Sequence, residues 1–514
     1  MKNYDVAVIG AGNGGLACAA VLAKAGLKVA VFEKNHNIGG AATSFRRGRF
    51  DFEVSLHELC GYGSRGIHTG STRAFFDCIG IADKIEWADV PQAYRLITFG
   101  GDEKDRIDAV MPFGIPEYIA AAEKYVPGSA PYFTRIFDLA QEFLNATADM
   151  GKAGKGTVNK IKTLSRHKDF LHIASMSVNE ACRAVGLTGR AADIFKGYWA
   201  YICADCDSMG FIQYLGMVNS YIELYSSIPA CRSTDLTLTV ADYIEKHGGE
   251  IFTDSEVAQI TVEDGRAKGI TFKNGEKVNA KHVVSNVSPS TVFGGMIPSG
   301  LVPAGDRKKA NARTLAGRGF CVYLGLNKSA EELGIKDYSY FIYPDMDTVS
   351  QFEKMKSPET NRVQNTVCTN IAVPGASPEG TCMLTMTTLF PSGYWDKLSP
   401  EEYYEEKNRF ALSMLETFEM ATGIKIRDSI EEIEIAAPQT FARYMNSPGG
   451  SIYGYLCASW DGVFARKMMD KQFTQIDSLD FVGGFMSNGN GFSSSFSSGM
   501  GVAKYIAKRL GKEI

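Results

Sequence analysis

The strongest constraint on this fold sits near the N-terminus. Residues 4–9 read YDVAVI, a short β-branched apolar run suited to a buried parallel strand. The run leads directly into GAGNGG. Gly10, Gly12 and Gly15 fill the three glycine places of G-x-G-x-x-G: the first permits a tight turn, the second lets backbone approach a pyrophosphate, and the third lets a helix pack on the strand. Leu16, Ala19, Ala20 and Ala23 then carry a helical period that Gly26 ends, so the helix N-terminus points at the phosphates. A second strand delivers Glu33 roughly 20 residues past the third glycine, where an acid bonds ribose hydroxyls. The uncharged run 6–23 has the length of a signal or membrane segment. Its four glycines and one asparagine make strand, turn and helix the better reading.

Composition narrows the class. The 514 residues are 45% hydrophobic and 22% charged, which excludes disorder and a multi-span membrane protein. A net charge of −4 lacks the basic footprint of a nucleic-acid binder. Eleven irregularly spaced cysteines, an odd number, suit reduced thiols in a reducing, cytoplasmic compartment. The excess that needs a use is 53 glycines.

Several of those glycines follow Glu33. The run Glu33, Gly39-Gly40, Ala41 and Thr43 resembles the extended dinucleotide motif of FAD-binding flavoproteins, in which a second glycine pair brings another backbone segment to the phosphates and ribityl chain. This favours FAD over NAD. Downstream, residues 112–225 are mainly helical in pattern and hold no second dinucleotide fingerprint. A helix through Leu236, Val240 and Ile244 precedes Gly248-Gly249 and short strands at 250–252, 257–262, 268–272 and 282–285, with hairpin turns at Asp264-Gly265 and Asn274-Gly275. Strands are expected at 320–326, 383–387 and 479–482, and a helix at 401–420. Gly483-Gly484 and the stretch 488–491 read as turns before a last helix carrying Phe492, Phe496, Val502, Ile506 and Leu510. No linker or repeat separates these regions, so the domains interleave.

These residues resemble the phytoene desaturase, carotenoid isomerase and retinol saturase group of FAD-dependent oxidoreductases. Residues 248–289, ending in the V-V-S-N of 283–286, are similar to that group's glycine pair, adenine-contacting valine and strand meander. Residues 439–454 are similar to its segment before the final flavin strand, and residues 481–506 to its closing strand, glycine turn and helix. Three places depart from the pattern: Gly484 stands where relatives usually carry aspartate, Cys231-Arg232-Ser233 where many have a glycine pair, and 50–63 keeps the aspartate-x-glycine pattern only in part.

The resemblance implies an α/β fold, a Rossmann-like FAD-binding domain of the glutathione-reductase type (1–75, 226–300 and 438–514) interleaved with a mixed α+β substrate-binding domain with a helical insert (76–225 and 301–437). It implies FAD held by Gly10, Gly12, Gly14, Gly15, Glu33, Lys34, Gly40, Ala41, Thr43, Val257, Gly483, Gly484, Phe485, Gly491 and Phe492, with the Val257 backbone at the adenine. The last helix would stabilise negative charge on the reduced ring. The implied activity is hydride transfer between flavin N5 and a carbon of an apolar polyene, isoprenoid or lipid-like substrate, or redox-assisted double-bond isomerisation. Flavin amine oxidation is one alternative, and a non-catalytic lipid or prenyl-protein escort on the same fold is another. Expected partners are a small apolar or amphipathic substrate, a quinone or soluble electron carrier, and a peripheral membrane contact, with no nucleic acid.

In this architecture the chain after Thr43 passes the flavin, which points to Ser55, His57 and Glu58 as polar groups near the reacting atom. His57 and Glu58 would move a proton or orient substrate, or else brace backbone. Arg232, just before a helix, would meet an anion, or else form a surface ion pair. Cys203-x-x-Cys206 is not placed like the dithiol of flavin disulfide reductases, which follows the N-terminal glycine pair. The seven histidines show no metal-ligand spacing. Tyr198, Tyr201, Tyr214 and Tyr225 would line an apolar tunnel or fill the core.

Overall fold

The computed structural model describes residues 2–61, 69–152, 165–456, 474–486 and 491–514, together with 159 and 162. Strands from three separated stretches of chain meet in one seven-stranded sheet. Their order is Glu250–Phe252, Val29–Phe32, Lys2–Ile9, Lys277–Ser285, Arg266–Phe272 and Val257–Glu263, with Leu479–Phe481 also paired to Lys277–Ser285. The strand Lys2–Ile9 runs parallel to both its neighbours, and Val6, Ala7 and Val8 are fully buried. Burial on both faces is why these strands read as continuous apolar runs. The helix Asn13–Lys24 covers one face together with Ser233–Lys246 and Phe492–Arg509. The uncharged run 6–23 is therefore strand, turn and helix, and among the described residues no helix is long and apolar enough to cross a membrane.

The meander expected after residue 257 is present, but its last strand begins at Lys277 rather than at 282. Exposed Lys277, Asn279 and Lys281 alternate with buried Val278, Ala280 and His282, so the first half looks polar in sequence although it is half-buried strand. The turn expected at 488–491 lies outside the described residues except for Gly491.

A second seven-stranded sheet has the order Ile430–Ala436, Arg318–Leu326, Cys382–Phe390, Gln364–Cys368, Ser339–Tyr343, Tyr94–Thr98 and Asp108–Met111. Strand alternation sorts its side chains. Phe320, Val322, Leu324, Tyr340, Ile342, Leu384 and Met386 lie on the face packed by the helix Pro400–Thr422. That helix starts where the Ser399–Glu402 capping box supplies its N-terminal partners. On the opposite face Cys321, Tyr323 and Met383 meet the hairpin of Ser44–Arg47 and Phe50–Glu53, while Phe341 and Tyr343 meet the helical insert. A small sheet of Leu59–Cys60, Ser226–Pro229 and Trp87–Asp89, not expected from sequence, ties the chain after the hairpin to the base of the insert.

Candidate active site

At the end of the first strand, three glycine-containing segments converge on close backbone contact. A Cβ added at Gly15 would stand 2.1 Å from the Gly10 carbonyl oxygen, and one at Gly14 would stand 2.6 Å from the Gly483 nitrogen. The first contact seats the helix on its strand; the second brings the C-terminal turn onto the N-terminal one. The second glycine pair joins through the Gly39 N–H, which donates to the Ala11 carbonyl at 2.8 Å. The helix that starts after Gly12 has no side-chain cap, so its N-terminal N–H groups remain available to an anion.

Glu33 is buried, and its carboxylate accepts from the Ala11 N–H at 2.8 Å and from the Asn35 N–H at 2.9 Å. It thereby braces the glycine turn. Val257 opens its strand two residues after Ser255, whose N–H donates to the Glu33 carbonyl at 2.7 Å. The Thr43 hydroxyl donates to the Gly40 carbonyl and the Ser55 hydroxyl to the Ala41 carbonyl, both at 3.0 Å. Lys34 instead reaches outward to the Arg443 carbonyl at 3.0 Å. At the C-terminal side the Phe485 ring meets Tyr455 edge-on, Gly484 has open space where a side chain would project, and Gly491 precedes the last helix, in which Phe492 is half-buried against the core beneath the first helix. An uncapped helix N-terminus, converging glycines and a buried acid are what a dinucleotide such as FAD requires, so the residues present fit that cofactor.

Asn286, at the end of the central strand, belongs to this cradle and had no role assigned from sequence. With its amide nitrogen toward the Val482 carbonyl and its oxygen toward the Gly12 N–H, each at 3.3 Å, it links the two glycine turns. The V-V-S-N run was its only signal.

Beyond the cradle, the segment after the hairpin carries His57 and Glu58 across the face of the second sheet that the hairpin and the insert cover. The Tyr201 hydroxyl donates to Glu58 Oε1 at 3.3 Å and lies 3.2 Å from His57 Nδ1. Since that hydroxyl gives its proton to Glu58, Nδ1–H donates to Tyr201, and Nε2 accepts from the Thr387 hydroxyl at 3.1 Å. The Tyr338 hydroxyl donates to the His57 carbonyl. Burial lowers the His57 pKa to about 4. Burial raises Glu58 to about 8, against the Tyr201 hydrogen bond. Near neutral pH the chain Glu58–Tyr201–His57–Thr387 is therefore uncharged and holds transferable protons. Glu58 Oε2 is buried without a hydrogen-bond partner among the described residues.

His57 forms part of the wall of two cavities. The outer one, about 140 Å³, is lined by Asp51, Glu53, Leu56, Arg232, Tyr338 and Met383 among others; the inner one, about 20 Å³, by Tyr201, Thr387, Leu389 and Tyr453. The structure brings Arg232 to the cleft that His57 borders, but 42% exposed and ion-paired with Asp51 at 2.8 Å. Burial raises Glu53 on the same wall to about 7, against hydrogen bonds from Ser233, whose N–H donates to it at 2.9 Å. Of the four tyrosines considered for a tunnel, Tyr201 lines a cavity, while Tyr198 and Tyr214 are fully buried core. Cys203 and Cys206 are also buried, and burial pushes the Cys206 thiol to about 12, far from a reactive thiolate. Thr387 and Tyr338 carried no sequence signal, since only the packed sheet faces them toward His57.

Comparison with known proteins agrees with this architecture. The sequence profile of a family described as flavin containing amine oxidoreductase matches residues 14–406. An all-trans-retinol 13,14-reductase of Danio rerio is 27% identical over 493 residues, covering 88% of this chain and 78% of that protein. A chloroplastic prolycopene isomerase of an Oncidium hybrid cultivar is 22% identical over 535 residues, covering 100% of this chain and 85% of that one. Among solved structures, a triple variant of putrescine oxidase aligns with a TM-score of 0.65 at 14% identity over 99% of both chains.

Proposed function

The chain belongs to the flavin containing amine oxidoreductase family, and we propose that within it the chain acts on carbon–carbon bonds of an apolar unsaturated substrate, a polyene, isoprenoid or lipid-like molecule. Membership bears out the expectations of FAD and of an oxidoreductase, which sets aside the non-catalytic escort reading. The resemblance to the carotenoid isomerase and retinol saturase group is borne out by the relatives.

The observation that carries the substrate class is the uncharged proton-bearing chain through His57, with Tyr201 lining the inner cavity and packed on the buried rings of Tyr198 and Phe341. A reacting carbon beside this chain meets uncharged groups and a proton at hand, while the Asp51–Arg232 ion pair stands farther along the outer wall. FAD, when bound, takes up or gives a hydride at N5. Gly10, Gly12, Gly14, Gly15, Gly40, Ala41, Gly483 and Gly484 would carry its phosphates and ribityl chain on backbone. Glu33, Lys34, Thr43 and Val257 would hold the nucleotide side, with Phe485, Gly491 and Phe492 closing over the ring. His57 and Glu58 would hold and move the proton, and Arg232 would meet a polar substrate end at the mouth.

In this reading residues 1–75, 226–300 and 438–514 form the cofactor-binding unit, and 76–225 with 301–437 the substrate-binding unit. A quinone or soluble carrier would exchange electrons, and the substrate would be collected at a membrane surface. Amine oxidation is the second reading, favoured by three carboxylates, Asp51, Glu53 and Asp235, facing the outer cleft beside a single guanidinium, Arg232.

The visible spectrum of the purified protein, followed by anaerobic mixing with polyenes and with amines, decides between the two. A flavin spectrum changed by polyenes alone is expected; a response to amines alone overturns the proposal. His57→Gln should lower turnover by about 100-fold while flavin stays bound, and full activity would remove His57 from the chemistry.

A further inference from the structure

His57 is the one described residue that lines both cavities. Its imidazole ring is anchored at two points on different parts of the fold. Nδ1 bonds to Tyr201 on the insert at 3.2 Å, and Nε2 to Thr387 on the second sheet at 3.1 Å. Apolar side chains occur on both sides: Leu56, Ile228 and Met383 line the outer cavity, beside Asp51, Glu53, Arg232 and Asp235, and Leu389, Val363 and Met355 line the inner one. A volume of about 20 Å³ holds no more than a water. At that size the inner space admits no isoprene unit while the His57 ring stands in its wall.

We infer that His57 is a partition that sets how far an apolar chain enters, and so determines the chain-length preference of the enzyme. The inference rests on the apolar-chain reading above, but its test does not require turnover. Removing the ring joins the two spaces, and each additional methylene that leaves water strengthens binding about fourfold. A partition also differs from a catalytic histidine in what it changes: the first alters the dependence of affinity on length, the second alters rate.

The holoenzyme is titrated with geraniol, farnesol and geranylgeraniol, which lengthen by one isoprene unit each, and dissociation constants are read by calorimetry. In the parent protein affinity should level off along the series. In His57→Ala it should keep rising, with the longest alcohol at least tenfold tighter than in the parent. His57→Gln keeps the bulk and should keep the parent profile even though its turnover falls. Thr387→Val removes one anchor at nearly constant shape, and should move the profile the same way by a smaller factor if the alanine variant does not fold. A profile unchanged in both His57→Ala and Thr387→Val overturns the inference, as does an absence of binding by all three alcohols. Loss of turnover in His57→Gln with the length profile unmoved is the expected pairing, whereas failure of polyenes to change the flavin spectrum would overturn only the underlying reading of function.

Discussion

The glycine cradle and the buried chain around His57 lie at the two ends of the same short segment, yet they are built from different materials. The cradle is mainly backbone meeting backbone, with Gly15 over Gly10, Gly14 against Gly483 and Gly39 bonded to Ala11, braced by the Glu33 and Asn286 side chains. The His57 site is side chains meeting side chains, drawn from residues 57, 58, 201, 338 and 387. The contrast predicts opposite tolerances. Where backbones touch, any added atom is a clash. Where side chains exchange hydrogen bonds in a partly open space, an isosteric change removes chemistry and leaves the fold in place.

The largest test of that contrast is Gly15→Val. Its Cβ alone would fall 2.1 Å from the Gly10 oxygen, so the first helix must lift from the first strand. Overpacking of this kind costs about 3 kcal/mol, and flavin per mole of purified protein should fall below one tenth of the parent value, with a lowered Tm. Thr387→Val, on the other side of the comparison, should purify with full flavin. Equal flavin loss in both variants would mean the two regions are one mechanical unit.

A second test uses pH. Glu58 is raised to about 8 by burial, so the folded protein keeps a proton that the unfolded chain releases above about 4.5. Its contribution to stability is present below that lower value and is lost as pH rises through about 8. His57 works in the opposite sense: with its folded pKa lowered to about 4, it contributes stability that is lost as pH falls from about 6.5 to that value. Urea unfolding of Glu58→Gln should therefore show a fall in stability between about pH 5 and pH 8 that is smaller than the parent's by on the order of 3 kcal/mol. An unchanged slope would mean that Glu58 is not held protonated.

The same difference in materials decides what could be read from sequence. Turn geometry is local, so Gly10, Gly12 and Gly15 announce the cradle by their spacing, and the strand, helix and acid around them follow within a few dozen residues. Asn286 escaped because its partners, Gly12 and Val482, are brought to it only by the parallel pairing of strands from both ends of the chain. In the buried side-chain cluster His57 and Glu58 were legible as polar residues following the glycine pair. Their partners were not, because Tyr201 arrives from a helix of the insert and Thr387 from a strand whose facing is set by register across the second sheet. Arg232 was legible as a cation before a helix, but its pairing with Asp51 depends on where the hairpin folds back.

The smallest effect concerns the one glycine of the cradle that nothing requires. A side chain at Gly484 would project into open space, unlike one at Gly14, Gly15 or Gly483. The last helix begins nearby, after Gly491, without a side-chain cap, so its N-terminus favours a negative neighbour. Gly484→Asp should thus fold normally and supply an acceptor for a ribityl hydroxyl, an interaction worth about 1 kcal/mol or roughly fivefold in affinity. Quenching of FAD fluorescence on titration with apoprotein measures it. Tighter binding would show that the cradle, although made mainly of backbone, can still be improved by a side chain. Unchanged or weaker binding would show that a side chain at this position adds nothing to the affinity, and would extend the contrast with the His57 site to Gly484.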